Sequence, residues 1–365
     1  MKKSLLALAV LSAFAGLASA QSSVTIYGQI DEGIAKGNGG TAANNGALGT
    51  SEAWQVRDGG PGSRLGFRGN EDLGGGLSAQ FLIEHRFSPD TGNSNPAATF
   101  WQGGSYVQLT SAQAGSVYFG RWYAPTFWIT LKTDPFGFGG ISQVGAKGFA
   151  GFFTATGVGQ VRQSNAVGYK TPNWGGFTAN LSVGLSEGSA TAGRDDAFNA
   201  EYTSGPIYVG VGYEKITHGP ASNSLVTSAA TAFNNGDGAS LVNFGAAYDF
   251  NVVRPIVYVA RSKNGLNNAQ TNKYWHLGLT APIGPGRLKA VYGRLDPEGS
   301  VAVASGVTAT SVTTLQTAGQ KQTKLGLGYD YFLSKRTRVY LDYSTAKEDN
   351  RTNNSAYALG VRHEF

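Results

Sequence analysis

The fold class this sequence predicts is all-β: an antiparallel barrel of about sixteen strands that closes on itself and crosses a membrane. Three observations carry it. Apolar and polar residues alternate with period two in segment after segment. Short turns rich in Gly, Pro and Asp take turns with longer polar loops. One strand face carries Tyr, Phe and Trp near its ends, while the other carries Arg, Asp, Glu and Gly. A soluble β-sandwich would also alternate. It would not tolerate so many ions on its second face, because a dry core must pair or neutralise each of them. A water-filled interior accepts them, and about sixteen strands enclose a channel rather than a packed core.

Composition points the same way. Among 365 residues there are 53 Gly, about twice the roughly 7% of an average protein; this disfavours helices and serves tight turns and crowded wall positions. Charged residues are 14% and hydrophobic residues 41%, which suits neither a disordered chain nor a helical membrane bundle. There is no Cys, one Met and four His, so disulfides and thiolate metal sites are excluded and other metal chemistry is thin. No metal, other cofactor or nucleic-acid partner is expected.

Residues 1–20 read as an export signal: Lys2 and Lys3, an apolar run from Leu5 to Leu17, then Ala18, Ser19 and Ala20 as a small-residue cleavage site. The run is shorter than the ~20 residues of a spanning helix. The mature chain is expected to start at Gln21, its formal charge lowered from +6 by the two lysines removed. Residues 21–365 are expected to form one barrel domain.

The strands follow in order. Val24, Ile26 and Ile30 alternate with Thr25, Tyr27, Gln29 and Asp31. Leu65 and Phe67 alternate with Arg64, Gly66 and Arg68, and the turn Asn70 to Gly76 leads into Leu77, Ala79, Phe81 and Ile83 against Gln80, Glu84 and Arg86, a hairpin. Asn93 to Thr99 is a polar loop; Val107 and Leu109 mark a strand turning at Gln113 to Gly115, and Gly115 to Arg121 is the next. Arg162, Ser164, Ala166 and Gly168 share a face, and after Pro172 the residues Phe177, Ala179, Leu181, Val183 and Leu185 alternate cleanly. Ile207 to Glu214, Val242 to Phe250, Trp275 to Leu279, the pair Lys324 to Tyr331 and Arg338 to Ser344, and the terminal Ala356 to Phe365 repeat the theme. The segments Thr217 to Gly238 and Pro297 to Gln320 are long polar loops.

Between these strands, Trp122 to Gln160 shows neither a helical nor a two-residue period. Its apolar content, with Trp122, Tyr123, Phe127, Trp128, Ile129, Leu131, Phe136, Phe138, Phe149, Phe152 and Phe153, is too large to leave in water; only Lys132, Asp134 and Lys147 are charged. A structureless loop of this length is usually functional. In a barrel it can bury its aromatics only by folding inward, where it narrows the opening.

No catalytic set emerges. His85, His218, His276 and His363 are scattered without a Ser or Asp at useful spacing, Glu71 and Asp72 sit in a turn, and Gly74, Gly75 and Gly76 are followed by no Lys or helix of a phosphate loop. A barrel enzyme or an adhesin is therefore remote. The inner wall holds the stronger signal. By parity Arg64, Arg68, Arg86 and Arg162 face the lumen, as do Lys324, Arg336 and Arg338, with Glu84, Asp330, Asp342 and Glu364 as their opposites. Guanidinium groups along a narrow aqueous passage with low-dielectric walls favour anions.

Several stretches together resemble the trimeric general porins of Gram-negative bacteria, specifically the beta-proteobacterial group. They are Ser23 to Gly28, Ser63 to Gly69 followed by Glu71 to Gly74, Gly120 and Arg121, Asn165 to Tyr169 before Thr171 and Pro172, Gly176 and Phe177, Leu333 to Thr337, and Gly360 to Phe365. The resemblance implies a sixteen-stranded barrel with short periplasmic turns in the cell outer membrane, a homotrimer, and passive diffusion of small hydrophilic solutes and ions past an inward-folded third loop. It implies anion preference from an arginine cluster to which Arg64 and Arg162 match, facing an acidic side matched by Glu84 and Asp134. Where a third arginine usually stands, this chain has Trp101, Gln102, Gly103 and Gly104. Outer-membrane lipid, lipopolysaccharide and the outer-membrane assembly machinery, which reads a terminal aromatic like Phe365, are the partners implied. A second reading keeps the architecture and makes the loop aromatics Trp122, Trp128, Phe136 and Phe138 a binding site for a sugar or carboxylate.

Overall fold

The computed structural model describes residues 23–42, 52–57, 62–94, 99–144, 161–187, 193–217, 238–263, 270–299 and 321–365. The expected export signal, His218, the loop residues Lys147, Phe149, Phe152 and Phe153, and most of the two long polar loops lie outside the described residues.

Sixteen long strands form one antiparallel sheet that closes on itself. They are β1 (Ser23–Gly37), β2 (Ser63–Gly74), β3 (Leu77–Ser88), β4 (Gly104–Ser111), β5 (Gly115–Tyr123), β6 (Arg162–Lys170), β7 (Phe177–Gly184) and β8 (Arg194–Ser204). The circuit continues with β9 (Ile207–Thr217), β10 (Ala239–Tyr248), β11 (Arg254–Lys263), β12 (Gln270–Ile283), β13 (Gly286–Gly299), β14 (Gln322–Phe332), β15 (Thr337–Glu348) and β16 (Asn354–Glu364). Each strand pairs with its sequence neighbours, and β1 closes the ring on β16 from Gln29↔Glu364 to Gly37↔Ala356. Gln55–Arg57 extends the wall beside β1, and Asn93–Ser94 folds back on the end of β3. Short turns gather at one end, the end the resemblance assigns to the periplasm. At Gly74, Gly75 and Gly76 all three residues have positive φ (81°, 62° and 78°), which only glycine adopts without strain.

The two faces of the wall behave as the alternation demands. Leu109, Phe119, Leu181, Val211, Phe244, Leu277, Leu341 and Leu359 are exposed on the outside, the row a lipid would cover. Trp174, Phe177, Tyr202, Tyr248, Phe250, Tyr331, Phe332 and Phe365 are exposed near the short turns, an aromatic girdle. Inside, Gln29, Asp31, Glu84, Asn199, Glu214, Lys324 and Asp342 are buried and polar.

The chain after β5 leaves the wall and folds inward. Its first part is a helix, α1 (Pro125–Thr133), where the residue pattern shows no helical period. The reason is visible in the packing. Thr126, Ile129, Thr130 and Thr133 lie at i, i+3, i+4 and i+7, all buried against the barrel; three of the four are threonines, so a hydrophobic count does not register the stripe. The wall makes good two of the hydroxyls, while Thr133 Oγ1 donates to the Ile129 carbonyl of its own helix at 2.7 Å. Thr126 Oγ1 donates to Glu214 Oε2 at 2.5 Å, and Thr130 Oγ1 meets Tyr258 Oη at 2.9 Å. Asn199 and Asn243 donate to the carbonyls of Pro125 and Thr126 at 2.8 and 2.9 Å. Lys132 in the last turn pairs with Glu201 at 2.5 Å. Several wall glycines serve this contact: Gly210, Gly212 and Gly245 lie under Ile129, Gly278 under Pro135 and Gly328 under Phe136. A Cβ on Gly245 would come within 2.6 Å of Thr133 Cγ2 and 2.9 Å of Ile129 Cγ2.

Two parity assignments change. On β6, Asn165 takes a positive φ of 53° and the β5–β6 register slips between Gly120 and Trp122, so the alternation loses step. Gln163, not Ser164, faces inward, accepting from Ser182 and donating to the Asp195 carbonyl, while Ser164 is exposed and accepts from Arg121 at 2.7 Å. Arg336 sits in the exposed turn before β15 rather than on the wall. The strands β8, β11 and β13 complete the circuit between the individually recognised ones.

Candidate functional site: the charged constriction

The tight turn after β2 sets the register that places Arg64 opposite Arg86. Like charges across a strand pair repel, and the surroundings show how these are held. Arg86 pairs with Glu84 at 2.8 Å, and Glu84 also accepts from Tyr27 Oη at 3.0 Å. Arg64 donates to the neutral Gln29 amide at 2.7 Å. Arg162, brought alongside by the β5–β6 register, donates to the Gly103 carbonyl at 2.7 Å and to Tyr123 Oη at 2.9 Å. Arg86 donates to the same phenolic oxygen at 3.2 Å, so Tyr123 ties two guanidinium groups together. The Arg162 guanidinium also lies 4.4 Å from the Tyr123 ring centre, a cation–π contact. Arg68, exposed, faces the same way from β2 and lies over the Tyr27 ring at 5.3 Å.

Three expected basic residues therefore converge with Glu84, which lies inside the arginine cluster rather than facing it. In place of the missing third arginine stands a carbonyl, that of Gly103, which accepts from Arg162; the third guanidinium comes from Arg86. The opposite wall is covered by α1 and residues 134–144, which leaves the passage between the loop and the arginine-bearing strands β2, β3 and β6.

Asp134 belongs to the loop as expected, but it is 5% exposed. Its carboxylate accepts from the backbone amides of Phe136 at 2.9 Å and Phe138 at 3.2 Å and interacts electrostatically with the buried Lys324. It organises the tight turn in which Gly137 and Phe138 both take positive φ. Phe136 and Phe138 are buried, with the Lys289 ammonium 4.7 Å from the Phe136 ring and the Phe127 and Phe138 rings in edge contact. Trp122 is the penultimate residue of β5 rather than part of the loop and, with Tyr123 and Trp128, forms a half-buried aromatic shelf beside Arg162. His276 is buried behind the loop and bonds the Thr133 carbonyl at 2.8 Å; His85 stacks on Phe100 on the outer face.

Under the loop, toward the short turns, a cavity of about 580 Å³ is lined by a second charged group that includes Arg254, Arg287, Lys289, Arg338, Asp330 and Asp342. Asp330 receives Lys289 at 2.6 Å, Arg287 at 3.1 Å and Arg338 at 3.8 Å. Arg362 is held by Asp31 at 2.6 Å. Arg254, Arg287 and Lys289 lie on β11 and β13, whose alternation does not stand out in the sequence, so their place in the lumen follows only from strand pairing. At the seam, Phe365 and Gly28 exchange two backbone hydrogen bonds of 3.1 Å.

A family description of Gram-negative porins matches residues 7–351. Outer membrane porin protein 32 of Delftia acidovorans is 33% identical, covering 99% of this chain and 94% of the relative. An outer membrane porin protein of Bordetella pertussis is 31% identical over the full length of both. Among solved structures, the anion-selective porin from Comamonas acidovorans superposes with a TM-score of 0.74 at 26% identity, covering 94% of this chain and all of that one. OmpT of Vibrio cholerae, at 16% identity and a TM-score of 0.64, shares the fold. With a closed sixteen-stranded wall, an oily exterior, a wet interior and an inward loop already in view, this chain belongs to the Gram-negative porin family and is a passive channel of the outer membrane.

Proposed function

We propose that the channel prefers anions and that Arg64, Arg86 and Arg162 set the preference, supported by Arg68. The observation that carries this is the charge balance on the uncovered wall: three guanidinium groups share one carboxylate, Glu84, and the remaining partners are the neutral Gln29, Tyr123 and Gly103 carbonyl. In a narrow passage with low-dielectric walls that excess charge is focused on the permeating ion. The likeness to a porin described as anion-selective supports the same reading. In planar bilayers under a salt gradient the reversal potential should favour the anion. The double substitution Arg64→Gln and Arg162→Gln should move it toward zero. An unchanged reversal potential in the double variant removes these residues from the mechanism.

A substrate-binding channel is the second reading. The burial of Phe136 and Phe138 reduces its aromatic platform to Trp122, Tyr123 and Trp128, beside Arg162. Saturable block of the current by one sugar or carboxylate separates it from plain diffusion. The reading extends to a homotrimer, to the assembly machinery acting on Phe365, and to small hydrophilic solutes as cargo. Cross-linking of the detergent-extracted protein tests the trimer.

A further inference from the structure

Lys170 ends β6 near the short turns, and the arginine cluster makes no use of it. It faces the lumen. After Asn165 the strand alternates with Ala166 and Gly168 buried and Val167 exposed, which puts Lys170 on the inner face, paired in the ladder with Ser116 of β5 and Asn180 of β7. Its ammonium lies 5.3 Å from the centre of the Tyr118 ring and 5.6 Å from that of Trp122, both within the range of a cation–π contact. Tyr106 braces the two rings edge-on, at 6.0 Å from Tyr118 and 4.7 Å from Trp122. Gly168 gives the Tyr118 ring room to lie across β6, since a Cβ there would come within 2.1 Å of Tyr118 Cε1. Trp122 in turn touches Tyr123, with ring centres 4.9 Å apart, and Tyr123 is the residue that ties Arg86 to Arg162. The ammonium therefore sits one aromatic layer below the arginine cluster, on the same uncovered wall.

No ion pair among the described residues involves Lys170. The lumen-facing side chains around it, Gln80, Gln108, Ser116 and Asn180, are neutral, and the titratable ones, Tyr106 and Tyr118, are phenols. Arg68 on β2 adds a cation rather than a counter-charge. Across the passage Lys132 of α1 is taken by Glu201 at 2.5 Å, and Asp72 in the turn after β2 accepts from the Gly74 amide at 2.9 Å. A carboxylate partner would fix Lys170 and cancel its charge. Aromatic faces fix it and leave the charge acting on the passage, because a ring offers a quadrupole and no net charge.

We infer that Lys170 is a second selectivity station of the channel, a cation held by aromatic rings instead of a carboxylate, met by anions between the arginine cluster and the short-turn mouth. The inference rests on the anion preference proposed above.

The test is the reversal potential of the full-length protein in planar bilayers under a salt gradient. A unit charge about 7 Å from an ion in water changes the local concentration of that ion roughly two- to threefold, in opposite senses for anion and cation. Lys170→Met keeps the length of the stem and removes the charge, so the anion-to-cation permeability ratio should fall at least about threefold. Lys170→Arg should retain the wild-type ratio. Arginine keeps its proton where lysine loses it, so raising the pH from about 7 to about 10.5 should lower the ratio more in the wild type than in Lys170→Arg; Tyr106 and Tyr118 titrate alike in both proteins. An unchanged ratio in Lys170→Met, with a shifted one in Arg64→Gln/Arg162→Gln, overturns this inference and leaves the arginine reading standing. Unchanged ratios in both remove the two together. Equal losses in the Met and Arg variants overturn it as well, since shape rather than charge would then set the ratio. If Lys170→Met does not assemble, the alkaline comparison of wild type with Lys170→Arg decides, and equal responses to pH refute the assignment.

Discussion

The loop inside the barrel is held by Asp134, and removing that carboxylate measures how firmly. In Asp134→Ala the amides of Phe136 and Phe138 lose an ionised acceptor that now lies 2.9 and 3.2 Å away. Each hydrogen bond to a charged group contributes about 1.5–3 kcal/mol, so together they amount to about 3–6 kcal/mol. Lys324, 1% exposed, also loses its favourable interaction with that charge, and weakening the compensation of a buried ammonium adds to the cost. A shift of about 3 kcal/mol moves the seated-to-unseated ratio of the loop more than a hundredfold. The barrel itself keeps its closed strand pairing, because Asp134 contributes no bond to the wall ladder. Single-channel recording should therefore show a larger conductance and more open-state noise, while the heat-modifiable band on a gel stays that of a folded barrel. Wild-type conductance and noise in a correctly folded Asp134→Ala protein would refute this account of the loop.

Gly245→Val should push α1 off the wall, since the new Cβ meets Thr133 and Ile129 below 3.0 Å. Overpacking of this kind costs about 1–3 kcal/mol, and a raised conductance with increased protease sensitivity of the loop is the expected readout. Glu84→Gln removes the carboxylate of the arginine cluster and should strengthen anion preference, and a reversal potential displaced toward the cation contradicts the assignment. Deleting Phe365 removes the two hydrogen bonds to Gly28 at the seam and should reduce the heat-modifiable fraction in the outer membrane; normal assembly without it removes this residue from the assembly step. Amino-terminal sequencing of the protein extracted from the membrane should begin at Gln21, and a start at Met1 overturns the export-signal reading.

The arginine cluster was largely legible before any coordinates. Arg64 and Arg86 sit on two strands joined by a glycine turn, so the hairpin itself is readable in the sequence. Their direct pairing is not, because the ladder slips by one residue between Asp72 and Gly74, and counting outward from Gly74 and Leu77 would set Arg64 opposite Phe87. Arg162 was legible as a wall residue, but its reach to Tyr123 depends on the β5–β6 irregularity that also reversed Ser164 and Gln163. A bulge costs one residue of phase and leaves little trace in composition. The helix α1 escaped for a different reason: its buried face is threonine, so hydrophobic period carries no signal, and only the waiting carboxylates and amides of β8–β11 make that face stable. Asp134 carried the right location and a different task, because a carboxylate beside two amides in a tight turn and a carboxylate facing a pore look alike in one dimension.

The sequence by itself determined the barrel, the sidedness of its wall and the outer-membrane setting, because these rest on a period of two repeated along the whole chain and on turns that specify local pairing. Only the tertiary structure decided what the long loop does. Its glycine-lined seat is assembled from β9, β10, β12 and β14, far apart in the chain, and contacts between distant strands carry no local pattern.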